Sequence, residues 1–478
     1  MSQGRIERDS MGEIEVPRHA LWGASTQRAI LNFPISGYRF GRRFLRALGL
    51  VKYAAAVANE RLGTLDAARA GAIQAAAREL IDGRLDDHFV LDVFQTGSGT
   101  STNMNANEVL ANRAAQIAAE QAELGQSAPA AGPIHPNDHV NRGQSSNDVM
   151  PTALHVALVE ALRHDLLPAL ARVQEVLSAK AQAFDPVVKI GRTHLMDATP
   201  IRLGQEFSGY AAQVEQTRQW LGQLLPALYE LPIGGTAVGT GLNAHPQFAS
   251  YVCDVLRAET GEPFREAANH FAAQHAKDAV VATSGALRTV AVALTKIAND
   301  VRWLGSGPRC GLGELALPAT QPGSSIMPGK VNPVICEAVL QVCAQVVGND
   351  AAVTCAAGLL GNLDLHTGMP VLAHNVLESV RLLTNACHVF VDRCLAGLEA
   401  NRQRCAELIE QSLALVTSLV PLIGYDAAAQ IAKEAAATGK TIRQLVREKG
   451  LIPEAQLTAA LDAREMTTPG EKGLPVSA

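Results

Sequence analysis

From His275 to Leu304 the chain reads as one helix, about 45 Å long at helical rise, and its Val280–Leu294 part is apolar on nearly every face. A helix at a protein surface keeps a polar side, so this one must be covered all round. Thr152–Ala183 (with a kink expected at Pro168), Gln205–Leu231, Ile335–Ala357 and Ala373–Leu395 also carry apolar residues at three- and four-residue spacing. The simplest packing is a long bundle whose helices also meet copies from other chains. Composition points the same way: hydrophobic residues make up 47% and charged ones only 18% of 478 residues, more aliphatic surface than one monomer hides easily.

Around this frame the chain is less regular. Residues 1–42 read as irregular, periodicity runs from Phe44 through Leu80, and Asp92–Asn107 is a polar stretch leading into a helix from Glu108. Gly125–Asn147 reads as a loop. A module of shorter helices begins near residue 396, and the polar tail after Met466 is expected to be disordered. The most apolar segment, Ala279–Leu294, falls short of a membrane span and contains Arg288. Early acidic residues (Glu7, Asp9, Glu13, Glu15) predict no signal or transit peptide, and the expectation is a soluble protein.

A formal charge of −5, with no basic block, argues against nucleic acid. All eight cysteines follow residue 250 and form no C-x-x-C pair, which argues against structural zinc or an iron–sulfur cluster. They read as reduced core residues of a cytosolic protein. Gly305-Ser306-Gly307 lacks the third glycine of a dinucleotide fold.

Chemistry concentrates in a few polar islands. The densest is Gln321–Pro333, with two glycines, three prolines, Ser324, Ser325, Lys330 and Asn332, which must be a loop. Its hydroxyls and backbone N–H groups suit a carboxylate or a developing oxyanion, with Lys330 adding positive charge and Asn332 an amide donor. Pro333 fits the first turn of the helix that follows. A phosphate-binding P-loop fails here, because five residues separate Gly323 from Gly329 where four are needed, and Val331 stands where Ser or Thr should hold Mg²⁺. The other islands are Thr96–Thr100, His135–Asp138, Gln144–Asp148, Gly191–Leu195 and Gly234–Asn243. Singly they are ambiguous: Ser145–Asp148 also reads as an ordinary helix cap, His135–Asp138 as a plain turn, His194 as a structural histidine and Glu337 as a solvated helix carboxylate.

Taken together, the islands carry a resemblance. GSSIMPGKVNP at 323–333 is similar to the hallmark loop of the fumarase/aspartase superfamily, and specifically of the class II, iron-independent fumarases. TGSGT with NMNxNEVLANRA, HPNDxVN, QSSND, GRTHLxDATP, GGTAVGTGLNxHP, KIANDVRWLxSGPRCGxGE and GND occur in the family's order, so the resemblance runs from about Arg5 to Leu457. It implies a mainly α fold with an N-terminal domain (1–146), a central long-helix domain (147–395) and a small helical C-terminal domain (396–478). It implies a homotetramer with a twenty-helix core, each active site drawing loops from three subunits.

The activity it implies is fumarate hydratase: reversible anti addition of water to fumarate, giving (S)-malate through an aci-carboxylate, without cofactor or metal, in the cytoplasm. By resemblance Ser324 is the base, His194 protonates the departing hydroxyl, and Glu337 fixes the imidazole. Ser98, Thr100, Ser145, Ser146, Asn147, Thr193, Ser325, Lys330 and Asn332 would bind the dicarboxylate. His135, Pro136, Asn137 and Asp138 resemble a second anion site.

His194 and His135 stand where aspartase-like chains typically carry Gln and Asn. Ser101, Gly143, Ala272 and the run Leu363–Thr367 depart from the usual fumarase pattern. The alternatives are therefore an aspartase, a hydratase of a substituted fumarate such as mesaconate, or a non-catalytic paralogue.

Overall fold

A computed structural model describes residues 4–123 and 133–470. Part of the loop expected at 125–147 and most of the polar tail lie outside those residues. The N-terminal region is more regular than its glycines and prolines suggest. β1 (Gly4–Asp9) and β2 (Gly12–Pro17) pair antiparallel, with Asp9 opposite Gly12 across a two-residue turn. Arg28 of α1 (Ala24–Asn32) pins that turn by donating to both carboxylate oxygens of Asp9. The first N–H groups of α1 lack a side-chain cap of their own. Buried Glu108 supplies it from a distance, accepting from the N–H of Gly23, Ser25 and Thr26 at 2.9–3.1 Å. An anion at a helix N-terminus also complements the helix dipole.

The periodic stretch after Phe44 is two helices, α2 (Arg42–Arg61) and α3 (Ala67–Ile81), broken where Gly63 takes φ +69° and Asp66 caps α3. α4 (Thr100–Glu123) begins eight residues before the helix start expected at Glu108. Its first turns are rich in Thr and Asn, poor helix formers. Buried hydrogen bonds made by Asn103 and Asn105 outweigh that propensity.

α5 (Ser146–Ala161) and α6 (Leu167–Phe184) are separated by a wide π-type turn at Leu162–Leu166. The irregularity expected at Pro168 therefore falls just before it. The backbone stays helical through the junction, and the wide turn makes room for the proline ring and its missing N–H. Gly191–Leu195, read as a loop, belongs to a hairpin of β3 (Val188–Thr193) and β4 (Met196–Arg202).

α7 (Leu203–Gln223), α8 (Leu225–Leu228), α9 (Phe248–Thr260) and α10 (His270–His275) follow. Then come the long helices α11 (Asp278–Leu304), α12 (Val334–Leu359) and α13 (Met369–Phe390). Pro333 stands one residue before α12, its carbonyl accepting from Glu337 N. α11 and α12 are long and apolar enough by length and composition to cross a membrane. This corrects the expectation for Ala279–Leu294, because the helix continues for ten residues past Leu294.

The described residues form two compact units. The first comprises 4–123, 133–168, 219–291 and 344–384, the second 169–218, 292–343 and 385–470. Within the second, short helices from Arg402 onward enclose an apolar core of Leu415, Leu419, Ile431, Ile442, Leu445, Val446 and Leu457. The tail is ordered at least to Thr467, whose carbonyl accepts from Gln205 Nε2 at 3.1 Å. Six of the eight cysteines are buried free thiols; Cys310 and Cys355 are exposed, against the expectation of core positions for all.

Candidate active site

In the first unit the polar islands form a connected set. Thr96–Gly99 is a tight turn ahead of α4, and the Ser98 and Thr100 hydroxyls lie 2.7 Å apart. Gly97 is clamped from behind: its carbonyl accepts from Met369 N at 3.0 Å, and a Cβ there would lie 2.1 Å from the Thr367 carbonyl oxygen. Only glycine fits this approach.

Ser145 caps α5 through a capping box with Asp148, so the cap reading of this island holds. The cap leaves Ser146 and Asn147 in the first turn of the helix, where backbone N–H groups are free of intrahelical partners. Asp148 does more than cap. It is fully buried and accepts from Ser145 N at 2.9 Å, Gly234 N at 3.0 Å and Thr236 N at 2.9 Å. Asn147 Nδ2 adds a bond to the Ala237 carbonyl at 2.8 Å. The Gln144–Asp148 and Gly234–Asn243 islands are thereby one structure.

Buried Lys52 of α2 completes it, donating to Asn141 Oδ1 and Gln144 Oε1, each at 3.0 Å. Asn103 Nδ2 reaches Ser146 Oγ at 2.9 Å and so ties in α4. Burial pushes the Lys52 amine down to about 7, against the nearby negative charge of Asp148, and burial pushes the Asp148 carboxyl up to about 6. Asp148 is visible in the sequence only as part of a polar island and helix cap, and Lys52 only as a lysine inside an alanine-rich helix.

His135–Asp138 stays apart from this set. His135 is exposed, and its Nδ1 accepts from the N–H groups of Asn137 and Asp138 at 3.3 and 3.1 Å at the start of a wide turn, Pro136–Val140. The N–H groups an anion would use are thus already capped by the imidazole.

In the second unit, Thr193 ends β3, and His194 with Leu195 forms the two-residue hairpin turn at φ +57° and +62°. Two consecutive left-handed residues match a type I′ turn, which normally selects Asn-Gly. The turn projects His194 and Thr193 into the open, both exposed. Its base is rigid: Arg192 makes a paired contact with fully buried Glu314 at 2.8 and 3.1 Å, and buried Lys189 lies 3.4 Å from the same carboxylate.

The Gln321–Pro333 loop is stitched to itself. Gly323 N donates to the Lys330 carbonyl at 2.7 Å, and Asn332 Nδ2 donates to the Gly323 carbonyl at 2.8 Å. One of the two amide hydrogens of Asn332 is therefore engaged inside the loop. Ser324 Oγ accepts from Ile326 N at 3.2 Å and Met327 N at 3.0 Å. Two convergent N–H groups favour negative charge on that oxygen. Ser324 and Lys330 line a groove of about 450 Å³, with Ser325 exposed beside them. Glu337 sits half-buried in the first turn of α12. Among the described residues, no hydrogen bond or ion pair within the chain joins His194 to Ser324 or Glu337.

The second unit offers a lysine, an exposed imidazole and a serine oxygen prepared for charge, which suit proton transfer on an anionic substrate, and the first unit by itself offers hydroxyl and N–H donors. Residues 12–348 match the family model described as lyase, and 415–468 match that of the fumarase C C-terminus. The chain is 57% identical over 466 residues to the class II fumarate hydratase of Halobacterium salinarum, covering 98% of this chain and 97% of that one. It is 54% identical over 461 residues to the Mycobacterium tuberculosis protein of the same name, covering 96% and 94%. Class II fumarase from Schistosoma mansoni superposes with a TM-score of 0.90 at 39% identity, over 97% and 99% of the two chains. A Brucella melitensis structure titled fumarate lyase:delta crystallin also gives 0.90, at 46% identity and over 98% and 100%. The chain belongs to the lyase family of the class II fumarate hydratases.

Proposed function

We propose that the protein is a fumarate hydratase, interconverting fumarate and (S)-malate by reversible anti addition of water. Near-complete coverage of relatives bearing that name, at more than half identity, supports the activity. The observation that carries the chemistry is the Ser324 oxygen held by two N–H groups of its own loop. Serine is a weak base in water, and such donors, with water excluded, make its anion accessible.

In the dehydration direction, Ser324 Oγ takes the proton from the carbon beside one malate carboxylate. The electron pair moves into that carboxylate to give a dianionic aci-carboxylate. Lys330, the remaining amide hydrogen of Asn332, Thr100 and Asn147 stabilise it. As the C–O bond breaks, His194 gives its proton to the leaving hydroxyl, which departs as water, and Glu337 holds the imidazole in place. Ser98, Ser145, Ser146, Thr193 and Ser325 hold the diacid; His135–Asp138 serves as a second anion site only when the imidazole swings off the Asn137 and Asp138 N–H groups.

His194 stands on an exposed turn without Glu337 against it in the chain, which supports a site completed by other copies. We propose a homotetramer in which three subunits furnish each site. The exposed apolar residues Trp220, Val292, Trp303, Val347 and Val389 then meet neighbouring helices. Charged residues on the long helices, such as Arg288, Asp300 and Asp350, favour protein over lipid as that cover. Eight free thiols support a cytoplasmic location.

The test is a steady-state assay of fumarate's ultraviolet absorbance with malate, aspartate and methylmalate offered separately. Absorbance from malate is expected; absorbance from aspartate alone would end the proposal.

A further inference from the structure

Lys277 is a buried cation that the reaction does not use. It is 4% exposed and sits between α10 and α11. Its three N–H bonds go to the carbonyls of Ala273, Gln274 and Ala276, at 2.9, 2.9 and 2.8 Å. Its own carbonyl accepts from Val280 N and Val281 N, opening α11. One residue thus closes the end of one helix and begins the next. Among the described residues no carboxylate hydrogen-bonds to the ammonium, and burial lowers its affinity for the proton, to about 7. A surface corner between helices needs no such group, since an ammonium is costly to desolvate.

What the corner holds explains the arrangement. Gln274, 1% exposed, donates from Nε2 to the Thr236 carbonyl at 2.8 Å. Neighbouring Gly235 approaches so closely that a Cβ would lie 2.1 Å from Gln274 Oε1. Thr236, at φ +54°, donates its N–H to Asp148, and Asp148 accepts from Ser145 N. A continuous path of hydrogen bonds therefore runs from Lys277 through buried Gln274, Thr236 and Asp148 to the half-buried Ser145–Asn147 turn. The links from Gln274 to Thr236 and from Thr236 to Asp148 join groups shielded from water, where a lost bond leaves its partner unsatisfied.

We infer that Lys277 is a positioning residue: it fixes the α10–α11 corner that presses Gln274 on Thr236, and through Asp148 sets the Ser145–Asn147 turn that receives a substrate carboxylate. The kinetic part of this inference rests on the fumarate hydratase reading; the structural part does not. All three protons of the ammonium are engaged, so Lys277 acts without touching the substrate.

The test compares the full-length wild type with Lys277→Met, which keeps the length of the side chain and removes its charge and donors. Two measurements are made: steady-state kinetics with malate, and amide hydrogen exchange. Expected are a KM raised about tenfold with kcat within about threefold, and faster exchange at Ser145–Asn147 and Gly234–Ala237 while helix 425–438 is unchanged. Unaltered exchange at those turns in a folded variant would overturn the inference, as would a normal KM beside a reduced kcat. If wild type turns over no diacid, the proposed function fails and the exchange result alone decides. Should Lys277→Met not fold, Gln274→Met, which removes only the Thr236 contact, is read by the same two measurements.

Discussion

Met327 N–H points at Ser324 Oγ from 3.0 Å, three residues along the same loop, and Ile326 N–H does so from 3.2 Å. A hydroxyl held this way has its lone pairs engaged by donors. The loop therefore stabilises the deprotonated oxygen before any substrate arrives.

Replacing Ser324 by Ala removes the oxygen and leaves two N–H groups facing an exposed groove. Turnover should fall by about a thousandfold, with assembly and thermal midpoint nearly unchanged, since the loop is largely exposed. Kinetics and light scattering on the same preparation check this. Retained activity would strip Ser324 of its role.

Gly323 tests the loop's internal stitching. A Cβ there would lie 2.7 Å from the Lys330 carbonyl oxygen and 2.8 Å from Asn332 N. Both are backbone atoms that cannot rotate away, so Gly323→Ala should part the strands of the loop and displace Ser324 and Lys330. The expected outcome is a large loss of kcat with stability within about 1 kcal/mol of wild type, since the strain is confined to a loop outside the core. Wild-type turnover in this variant would mean that the closed stitch is not the working form.

Much of the fold and of the site is legible in the amino-acid sequence. Islands of Ser, Thr, Asn and Gly stand out against an alanine–leucine background, and the long helices announce themselves by spacing. Other features depend on partners distant in the chain. α4 starts at Thr100 because Asn103 meets Ser146, a contact that local propensity cannot reveal. The β3–β4 hairpin was missed because His-Leu occupies a turn that usually signals itself with Asn-Gly. Lys52, Asp148 and Lys277 look like surface charges in a linear text, and only packing buries them.

The same turn gives a clean substitution. Asn tolerates the left-handed region better than most residues, so His194→Asn should preserve the hairpin at φ +57° while removing the imidazole. Turnover is expected to drop by about a hundred- to ten-thousandfold, the range for a lost general acid. An unchanged circular dichroism spectrum and oligomer size would locate the loss in the chemistry. Activity near wild type would leave the leaving hydroxyl without its proposed proton donor.

Two buried histidines predict an acid limit to stability. His366 is fully buried, its Nδ1 accepting from Gly368 N at 3.0 Å, and His155 Nδ1 pairs with the Glu230 carbonyl at 2.9 Å. Burial first, and the positive charge of Lys277 second, lower both from 6.5 to about 4. Between those values the unfolded chain binds more protons than the folded one, so stability rises with pH across the window and is lost as pH falls through it. His366→Asn keeps an acceptor for Gly368 N but removes one titrating ring. Its thermal midpoint should therefore decline less steeply than wild type from pH 6.5 to 4. Equal slopes in the two proteins would mean that His366 does not set the acid limit, and the loss would have to come from groups titrating elsewhere.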